Sequence, residues 1–507
     1  MRPRLTAGER MPAPLTTTAT LEGLQAAATT ATGETIAAAV RVAAKTAAAR
    51  TAADRTCEVS MITGKDTLFG YSLENCAYVR SPHKPRYVFE SSDGGPAFAV
   101  DDPTVFKNIL MLGGAGSGKT NVLNHVVAQT ALWRGGEDGV SLIFDTKGDY
   151  LAHPGFYREG DYVIANDRAH RGQSDIWNLF LEVTADGNDP VDVEANAREI
   201  AAVYFRDRGS KMQPFFAKAA RDIFAAAIIY FVRRSADGPA AWKDACNNAG
   251  LANFLLQNDV AKLMGYLERY ADFKGLRSYV GDGTSNQALG VMGELRSLLY
   301  ECFQGNFAAR AKPGQRYVSM RRAVREKGGR RIFVLYDLSI GETLAPVYRV
   351  LIDLALKEAL GTTLEASGRT HIFLDELRLV PQLMHLEDAL NYGRSKRVSV
   401  VAGLQSVGQI NAAYGEHVGH NILSGFGSVF AFRMNDAASR AYVSDLFGPN
   451  VESYRYQNVG NRQFDREREG RTVEQWGLMN LGVGEAVVGL ASQAAPFRFR
   501  FMKDRDA

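Results

Sequence analysis

The sequence of 507 residues has few cysteines and lacks any long apolar run. Its four cysteines form no CxxC pair and have no histidine at ligand spacing, which excludes a disulfide-rich secreted fold and a zinc ribbon. The longest uncharged apolar run, residues 223–232, is bracketed by arginines and is far shorter than the roughly 20 residues that a membrane-spanning helix needs. The sequence therefore predicts reduced thiols, a buried helix over this run, and a cytoplasmic protein without a transmembrane segment.

The sequence also has no large excess of either charge. The 59 basic residues nearly balance the 56 acidic ones, so no overall field attracts nucleic acid or membranes. Any contact with DNA must come from a local group of side chains. The first residues include Arg2 and Arg4, but no apolar block follows them, and a signal peptide is not indicated.

The distribution of apolar runs predicts an α/β fold with a parallel-dominated sheet that an all-α insertion interrupts. Short strand-like runs alternate with helical patterns, except in one long stretch where helical patterns alone occur. The predicted parts are a flexible Ala/Thr-rich tail, a small β-rich entry lobe, a sheet domain in two pieces and an all-α insertion. Their residues are 1–56 for the tail, 57–107 for the lobe, 108–184 and 308–507 for the sheet domain, and 185–307 for the insertion.

A glycine-rich loop follows the first strand-like run of the sheet domain and opens a helix. Its sequence, GGAGSGKT, fits the GxxxxGK[ST] pattern of a P-loop, in which backbone N–H groups surround phosphate oxygens. The lysine is expected to neutralise the β- and γ-phosphates, and the threonine hydroxyl to bind Mg²⁺. The sequence therefore predicts a P-loop NTPase that binds ATP and Mg²⁺ through Gly113, Gly114, Ala115, Gly116, Ser117, Gly118, Lys119 and Thr120.

Two acidic residues, Asp375 and Glu376, end an apolar strand-like run, as in a Walker B segment. A buried strand that ends beside a P-loop would place Asp375 in the Mg²⁺ shell and Glu376 where it can deprotonate the attacking water. Gln405 ends another apolar run, at residues 398–404, where an amide can sense the γ-phosphate or the lytic water. A helix cap is an equally good explanation of a polar residue at that position.

Two segments are rich in cations. Arg394, Lys396 and Arg397 precede the run at 398–404, and they could serve a neighbouring nucleotide, DNA phosphates or solubility. The second segment is denser but belongs to no motif, so we predict a solvated surface patch there. It contains Arg321, Arg322, Arg325, Lys327, Arg330 and Arg331.

Taken together, GGAGSGKT, DTKGD, RGQSDIWNLF, FLDEL and YGRSKRVSVVAGLQSVGQI resemble the type IV coupling proteins of bacterial conjugation, over roughly residues 108–490. The resemblance implies a hexameric ring of RecA-like domains, related to the FtsK and HerA motors, that hydrolyses ATP to move DNA. It also implies relaxase, secretion ATPases and membrane proteins as partners. By motif position, Arg394 matches the arginine finger of that family, and Lys107 stands where a second basic finger is expected.

Family members usually begin with transmembrane helices, and this sequence has the Ala/Thr-rich tail instead. We therefore expect a protein that reaches the inner-membrane face through a partner, or the motor of another process. Two other functions stay open on the sequence alone. One is a HerA- or FtsK-like DNA motor in DNA processing or defence, and the other is a nucleotide-gated adaptor for secretion substrates.

Overall fold

The computed structural model describes residues 61–76, 83–132, 139–208, 214–361, 368–457 and 462–504. The tail predicted for residues 1–56 lies outside the described residues. The strands are β1 Met61–Phe69, β2 Glu74–Asn75, β3 Pro85–Phe89, β4 Phe98–Asp101, β5 Ile109–Leu112, β6 Gly139–Asp145, β7 Tyr162–Ile164, β8 Ile176–Trp177, β9 Tyr317–Val318, β10 Arg330–Leu335, β11 Arg369–Leu374, β12 Val398–Leu404, β13 Ser428–Phe432, β14 Pro449–Gln457, β15 Gln463–Arg471, β16 Glu485–Gly489 and β17 Phe497–Arg500.

The α-helices of the described residues are mostly short, and two of them exceed 20 residues. They are α1 Asp102–Val105, α2 Lys119–Leu132, α3 Asp149–Ala152, α4 Leu179–Val183, α5 Pro190–Tyr204, α6 Phe215–Asp237, α7 Ala241–Ala245, α8 Asn248–Gln257, α9 Val260–Leu267, α10 Arg277–Val280, α11 Asn286–Cys302, α12 Met320–Glu326, α13 Gly341–Gly361, α14 Leu386–Tyr392, α15 Val407–Tyr414, α16 Glu416–Ser424, α17 Ala437–Phe447 and α18 Gln475–Met479.

A ten-stranded sheet forms the centre of the larger of two compact units. Its strand order is β2-β17-β16-β13-β5-β12-β11-β6-β10-β7. All neighbours from β13 to β7 pair in parallel, whereas β16 pairs antiparallel with both β13 and β17. The predicted α/β fold with a parallel-dominated sheet is confirmed. The smaller unit contains described residues 61–66, 452–457 and 462–468, which belong to strands β1, β14 and β15.

The parallel strands are buried on both faces, which explains why their sequences are continuous apolar runs. Successive side chains of β5 alternate between two hydrophobic cores: Leu110 and Leu112 lie in one, Ile109 and Met111 in the other. The first core continues into the helices, and the second contains α2 and the β3–β4 hairpin. Both faces of the sheet are therefore covered, so the ends of the strands are where polar side chains collect.

Between β8 and β9 the described residues are helical. The side chain of Asp189 accepts a hydrogen bond from the Val191 N–H and begins α5, and Ser285 caps α11 through the Ala288 N–H in the same way. Both helices pack on α6, which contains the apolar run at 223–232 with every side chain of the run buried. The predicted buried helix is confirmed. Within the described ranges, every helix is too short or too polar to cross a membrane.

The solvated patch that we predicted over residues 321–331 is wrong for three of its six cations, whereas Arg322 and Arg330 are half-buried and Arg325 is exposed. Arg321, Lys327 and Arg331 are buried, and Arg331 is only 1% exposed. Arg321 and Arg325 both form ion pairs with Asp186. The buried cations are therefore internal, and the ion pairs of the segment come from α12, which packs on α13.

Candidate active site

The glycine-rich loop connects β5 to α2 at the carboxyl edge of the parallel strands. Gly116 and Gly118 have φ of +69° and +111°, a region that other residues rarely adopt. A Cβ at Gly113 would lie 2.6 Å from Cβ of Phe432, so the loop's first position accepts only glycine. The Gly113 N–H donates to the Leu404 carbonyl at 3.0 Å, which ties the loop to the end of β12.

Lys119 begins α2 and is buried. Its Nζ donates hydrogen bonds to the carbonyl oxygens of Gly113 at 2.6 Å and Gly114 at 3.1 Å, so the ammonium lies over the loop. Burial lowers the pKa of Lys119, and the nearby carboxylates of Glu376 and Asp375 oppose that shift. The Lys119 side chain thus lies at the mouth of the loop with two acids beside it.

Asp375 follows β11 directly, and its carboxylate accepts hydrogen bonds from two hydroxyl groups. Thr146 Oγ1 donates to its Oδ2 at 2.7 Å, and the Tyr150 hydroxyl donates to its Oδ1 at 3.1 Å. Thr120 Oγ1 lies 3.5 Å from the same Oδ1. Burial raises the pKa of Tyr150, and the adjacent charge of Asp375 raises it further, so the phenol stays a donor. These contacts fix the carboxylate beside the loop's threonine.

Glu376 is buried next to Asp375, and Gln405 Nε2 donates to its Oε2 at 2.6 Å. In the described part of the chain, Glu376 Oε1 has no hydrogen-bond partner. Burial raises the pKa of Glu376, while the hydrogen bond from Gln405 and the charge of Lys119 lower it. One oxygen of the carboxylate is therefore held in place and the other is available as an acceptor.

A third buried carboxylate, Asp145, ends β6 and organises the turn that follows. It accepts hydrogen bonds from four backbone N–H groups, of Lys147, Gly148, Tyr150 and Leu151, at 2.8 to 3.3 Å. Burial raises the pKa of Asp145 and those backbone hydrogen bonds oppose the shift. The turn carries Thr146 and Tyr150 to Asp375. We assigned no role to Thr146 and Tyr150 from the sequence, although the segment DTKGD indicated a polar turn at the end of a strand.

One cleft of about 500 Å³ brings most of the predicted site residues together. The end of the glycine-rich loop, Lys119, Thr120, Asp375, Glu376 and Gln405 line it. Six residues that line the cleft were not predicted from the sequence, namely Asn121, Thr146, Lys147, Leu338, Arg378 and Leu379. Lys147 could have been found from its place in the DTKGD turn, whereas Arg378 follows the acidic pair and belongs to no motif.

Arg394 and Lys107 lie elsewhere. Arg394 is exposed on a 3₁₀ turn before β12, and Lys107 precedes β5, so both stand at the amino edge of the sheet. Lys107 Nζ donates to the Ala491 carbonyl at 3.2 Å. Neither Arg394 nor Lys107 is among the described residues that line the cleft. The two predicted fingers are therefore on the opposite edge from the glycine-rich loop of their own chain.

Comparison with solved structures shows the same fold in a plasmid coupling protein, TrwB. TrwB in complex with ADP and Mg²⁺ has a TM-score of 0.64 at 20% identity, over 84% of this chain and 90% of that chain. An unbound form of TrwBdeltaN70, described as a bacterial conjugative coupling protein, has a TM-score of 0.67 at 19% identity, over 88% and 97%. TrwB with a non-hydrolysable ATP analogue has a TM-score of 0.63 at 20% identity, over 84% and 91%.

Among curated proteins, none matches this sequence. The sequence does match a family model described as the type IV secretion-system coupling protein DNA-binding domain, over residues 99–471. That range includes the glycine-rich loop, the acidic pair at the end of β11 and Gln405. The match covers well over half of the chain, and the chain therefore belongs to the family of type IV secretion-system coupling proteins.

Proposed function

We propose that the protein is an ATP-driven DNA translocase that works as a hexameric ring and delivers relaxase-bound DNA to a type IV secretion channel. One observation carries the catalytic part of this proposal. Glu376 presents a buried, unpartnered carboxylate oxygen in the same cleft as Lys119 and Asp375. A domain that only binds nucleotide has no need of such an acceptor, which favours a hydrolase over a nucleotide-gated adaptor.

The residues of the cleft fit ATP with Mg²⁺. Glycines at positive φ allow backbone N–H groups to turn toward phosphate oxygens, and Lys119 supplies a cation. Within the described residues, no group of three or more His, Cys, Asp or Glu side chains is placed to hold a metal ion. This suits Mg²⁺, which takes one or two protein oxygens and completes its shell with phosphates and water. Thr120 and Asp375 would provide those oxygens, and the ion would neutralise charge on the phosphates.

In this site Glu376 is the general base. Its unpartnered Oε1 would accept the proton of the attacking water, while the hydrogen bond from Gln405 holds the carboxylate in position. A raised pKa suits this role because a base with a pKa nearer to neutral transfers protons more effectively at the working pH. Gln405 is a positioning residue that also lines the cleft where the γ-phosphate would lie.

Arg394 would complete the site of a neighbouring subunit. Strand β12 separates Arg394 from Gln405, and its seven residues span about 20 Å at roughly 3.3 Å per residue. An arginine side chain does not bridge that distance, so Arg394 does not serve its own cleft. A ring that places the amino edge of one sheet against the loop of the next brings the guanidinium to the γ-phosphate. Lys107 lies at the same edge as a second basic finger.

The DNA and partner assignments come from the family. TrwB, described as a plasmid and bacterial conjugative coupling protein, shares the fold, and the matching family model is named for DNA binding. DNA would be bound without sequence specificity, in the central channel of the ring. Relaxase, secretion ATPases and membrane proteins of the secretion channel are the partners that this function requires.

The first experiment measures ATP hydrolysis with no DNA, single-stranded DNA and double-stranded DNA, for the parent protein and for Glu376→Gln. We expect DNA to stimulate the parent, and the variant to bind ATP while its turnover falls by about a thousandfold, since it lacks the base. Lys119→Ala is the matched control, because it should lose nucleotide binding itself. A rate of ATP hydrolysis that DNA does not change would favour the nucleotide-gated adaptor. Parent-like turnover by Glu376→Gln would refute the assignment of Glu376 as the general base.

The second experiment mixes Arg394→Ala with Lys119→Ala, each inactive alone, under conditions where subunits exchange. A mixed interface can pair an intact loop from the Arg394→Ala subunit with an intact finger from the Lys119→Ala subunit. Partial recovery of ATP hydrolysis is expected. Mixed rings that are shown to form and yet stay inactive would contradict the role of Arg394 across the subunit boundary.

A further inference from the structure

The smaller unit is built on a three-stranded sheet in the order β1-β14-β15, and both outer strands are exposed along most of their length. From Ile62 to Phe69, every residue of β1 except Gly64 is exposed, and in β15 every residue except Gly470 is exposed. Core packing therefore does not decide which side chains these strands carry. Their distribution over the two faces of the sheet indicates what each face contacts.

One face of this sheet is acidic. Arg455 pairs with Asp66 at 3.5 Å and with Asp465 at 3.4 Å, so these three side chains share a face. Successive residues of a strand point to opposite faces, and Glu467, two residues beyond Asp465, therefore joins them. Among the strand residues of the smaller unit, three acids thus lie with one arginine on this face.

The opposite face carries a row of aromatic rings. Lys65 Nζ lies 2.7 Å from the Glu452 carboxylate and 5.8 Å from the centroid of the Tyr454 ring. The centroid of the Tyr454 ring is 6.4 Å from that of Tyr456. Tyr456 in turn stacks on Phe464, with the ring centroids 5.4 Å apart and the ring planes inclined by 15°. The row crosses from β14 to β15.

Two arginines of β15 lie on the same face as these rings. Arg466 and Arg468 follow Phe464 at intervals of two residues, and both are exposed. The hydrogen bond to the Glu452 carboxylate raises the pKa of Tyr454, and the charge and hydrogen bond of Arg468 oppose that shift, which places Arg468 beside the ring. We call this surface the aromatic face, and its residues are Lys65, Glu452, Tyr454, Tyr456, Phe464, Arg466 and Arg468.

We propose that the aromatic face binds single-stranded DNA, with bases stacked on its exposed rings and phosphates held by its arginines. The inference rests on the proposed function, since it takes DNA as the substrate. It adds a contact surface outside the ATP cleft and names the form of DNA that this surface takes. In a duplex the faces of the bases are covered by their neighbours, so a ring on a sheet has no base to stack on.

The geometry of the rings suits a base. Phe464 is 47% exposed, and its ring is nearly parallel to that of Tyr456. A base that covers the outer side of Phe464 would continue this stack and remove apolar ring surface from water. Stacking of this kind does not depend on sequence, because every base has a π-face. It therefore suits a motor that moves DNA of any sequence.

The charges complement an extended phosphate backbone. Lys65 is paired with Glu452, so the phosphate contacts fall to Arg466 and Arg468. Residues two apart in a strand are separated by about 6.6 Å, which is comparable to the separation of successive phosphates in an extended single strand. The acidic side of the sheet repels the same backbone. A single strand is thus directed to the aromatic face and away from the opposite one.

The first test measures the affinity of the full chain for a labelled oligothymidylate of about 12 nucleotides, a length within the usual site sizes for single strands, by fluorescence anisotropy. A duplex of equal length is the comparison. Phe464→Leu keeps an apolar side chain but removes the ring, and we expect it to weaken the single strand by at least about fivefold. Its affinity for the duplex should stay close to that of the parent.

The contribution of charge is tested with two matched variants. Arg466→Gln should weaken the single strand and reduce the slope of log affinity against log salt by about 0.7, the value for one phosphate contact on a single strand. Arg455→Gln removes the same charge from the opposite face, where the side chain is 47% exposed. It is the control, and it should leave both the affinity and the salt slope unchanged.

A second measurement needs no variant. Oligonucleotides that contain 5-bromodeoxyuridine are irradiated in complex with the parent protein, and the adducts are located by mass spectrometry of the digested chain. We expect adducts on Tyr454, Tyr456 or Phe464, because photochemical coupling favours rings that stack on the base. Adducts that lie only outside β14 and β15 would overturn the inference.

The outcomes separate this inference from the proposed function. If the parent binds neither the single strand nor the duplex, the DNA-translocating function itself fails. If the parent binds DNA and both Phe464→Leu and Arg466→Gln keep its affinity for the single strand, the inference alone is overturned. Equal losses in Arg455→Gln, or equal losses for the duplex, would also overturn it. So would a loss of binding to phosphatidylserine vesicles without a loss for the oligonucleotide, since the face would then contact a membrane.

Discussion

Two segments of this chain are rich in cations, and they differ in how many of those cations the structure buries. In the segment at residues 393–397, Arg394 and Arg397 are exposed at the amino edge of the sheet. In the segment at 321–331, Arg321, Lys327 and Arg331 are buried. The first segment ends just before β12 and the second continues into the first two residues of β10, a parallel strand of the same sheet, so position in the chain does not explain the difference.

The difference comes from the acids that each segment meets. Arg321 pairs with Asp186 at 2.6 Å and with Glu358 at 3.2 Å, and Arg325 pairs with the same two carboxylates. Asp186 lies some 135 residues away in the sequence. For Arg394, no ion pair is recorded within the described residues, and its side chain faces solvent. A cation that the chain itself neutralises supports the fold, and one that it leaves exposed is available to another molecule.

The largest effect is expected at the exposed segment, on activity alone. Arg394→Ala should lower ATP turnover by about 10³-fold or more, because a guanidinium at the γ-phosphate stabilises the charge of the transition state. Arg394→Lys should recover little of it, since lysine lacks the planar fork. The free energy of unfolding should change by less than about 0.5 kcal/mol, as for other exposed side chains. Steady-state kinetics tests the effect on turnover, and chemical denaturation tests the effect on stability. A large loss of stability would show that the Arg394 side chain supports the fold, as the buried cations do.

The next effect is expected at the buried segment, on stability. Arg331 donates to the carbonyl oxygens of Phe156 at 2.8 Å and Val127 at 2.6 Å. Arg331→Met should remove both of these hydrogen bonds and lower the free energy of unfolding by about 3 kcal/mol. Arg330→Met is the control, because the Arg330 side chain is 40% exposed, and it should cost less than about 1 kcal/mol. Comparable losses in urea denaturation of the two variants would contradict the assignment of Arg331.

A smaller effect concerns pH. Burial raises the pKa of Asp186, but hydrogen bonds from Asn196, Arg325 and Arg321 outweigh it and bring the pKa to about 2. A folded-state pKa below the unfolded value means that the stabilisation is present above pH ~4 and is lost as pH falls toward 2. Asp186→Asn should therefore be less stable than the parent at neutral pH and show a shallower loss between pH 4 and 2. Thermal unfolding across this range is the measurement, and parallel curves would exclude the contribution of Asp186.

The smallest effect is expected at the end of the exposed segment. Arg397 has φ of +54°, a left-handed conformation that costs about 1 kcal/mol for a residue with a Cβ. Arg397→Gly should relieve this strain and change the free energy of unfolding by no more than about 1 kcal/mol, in the stabilising direction. Arg394→Gly, in a right-handed turn, is the control and should not stabilise. A loss of stability in Arg397→Gly would show that the Arg397 side chain contributes to packing.

Much of the fold could be predicted because the parallel strands are buried on both faces. Such strands are uninterrupted apolar runs, and each predicted run of the sheet corresponds to a strand from β5 to β16. The antiparallel pairing of β16 and β17 at one edge could not be predicted, because the sequence of an apolar strand does not indicate the direction of the neighbouring strand. The pairing of β8 with β9, on either side of the helical stretch, could not be predicted either, because it joins residues 141 positions apart, such as Ile176 and Tyr317.

The sequence by itself determined the glycine-rich loop, the acidic pair after β11 and the order of strand, loop and helix around them. These features depend on local spacing and on backbone freedom at a few glycines, which neighbouring residues specify. The tertiary structure alone decided that Thr146 and Tyr150 hold Asp375, that Gln405 contacts Glu376, and that Arg331 is internal. Each of these is a contact between distant segments, and burial and pairing are set by which segments meet in the folded chain.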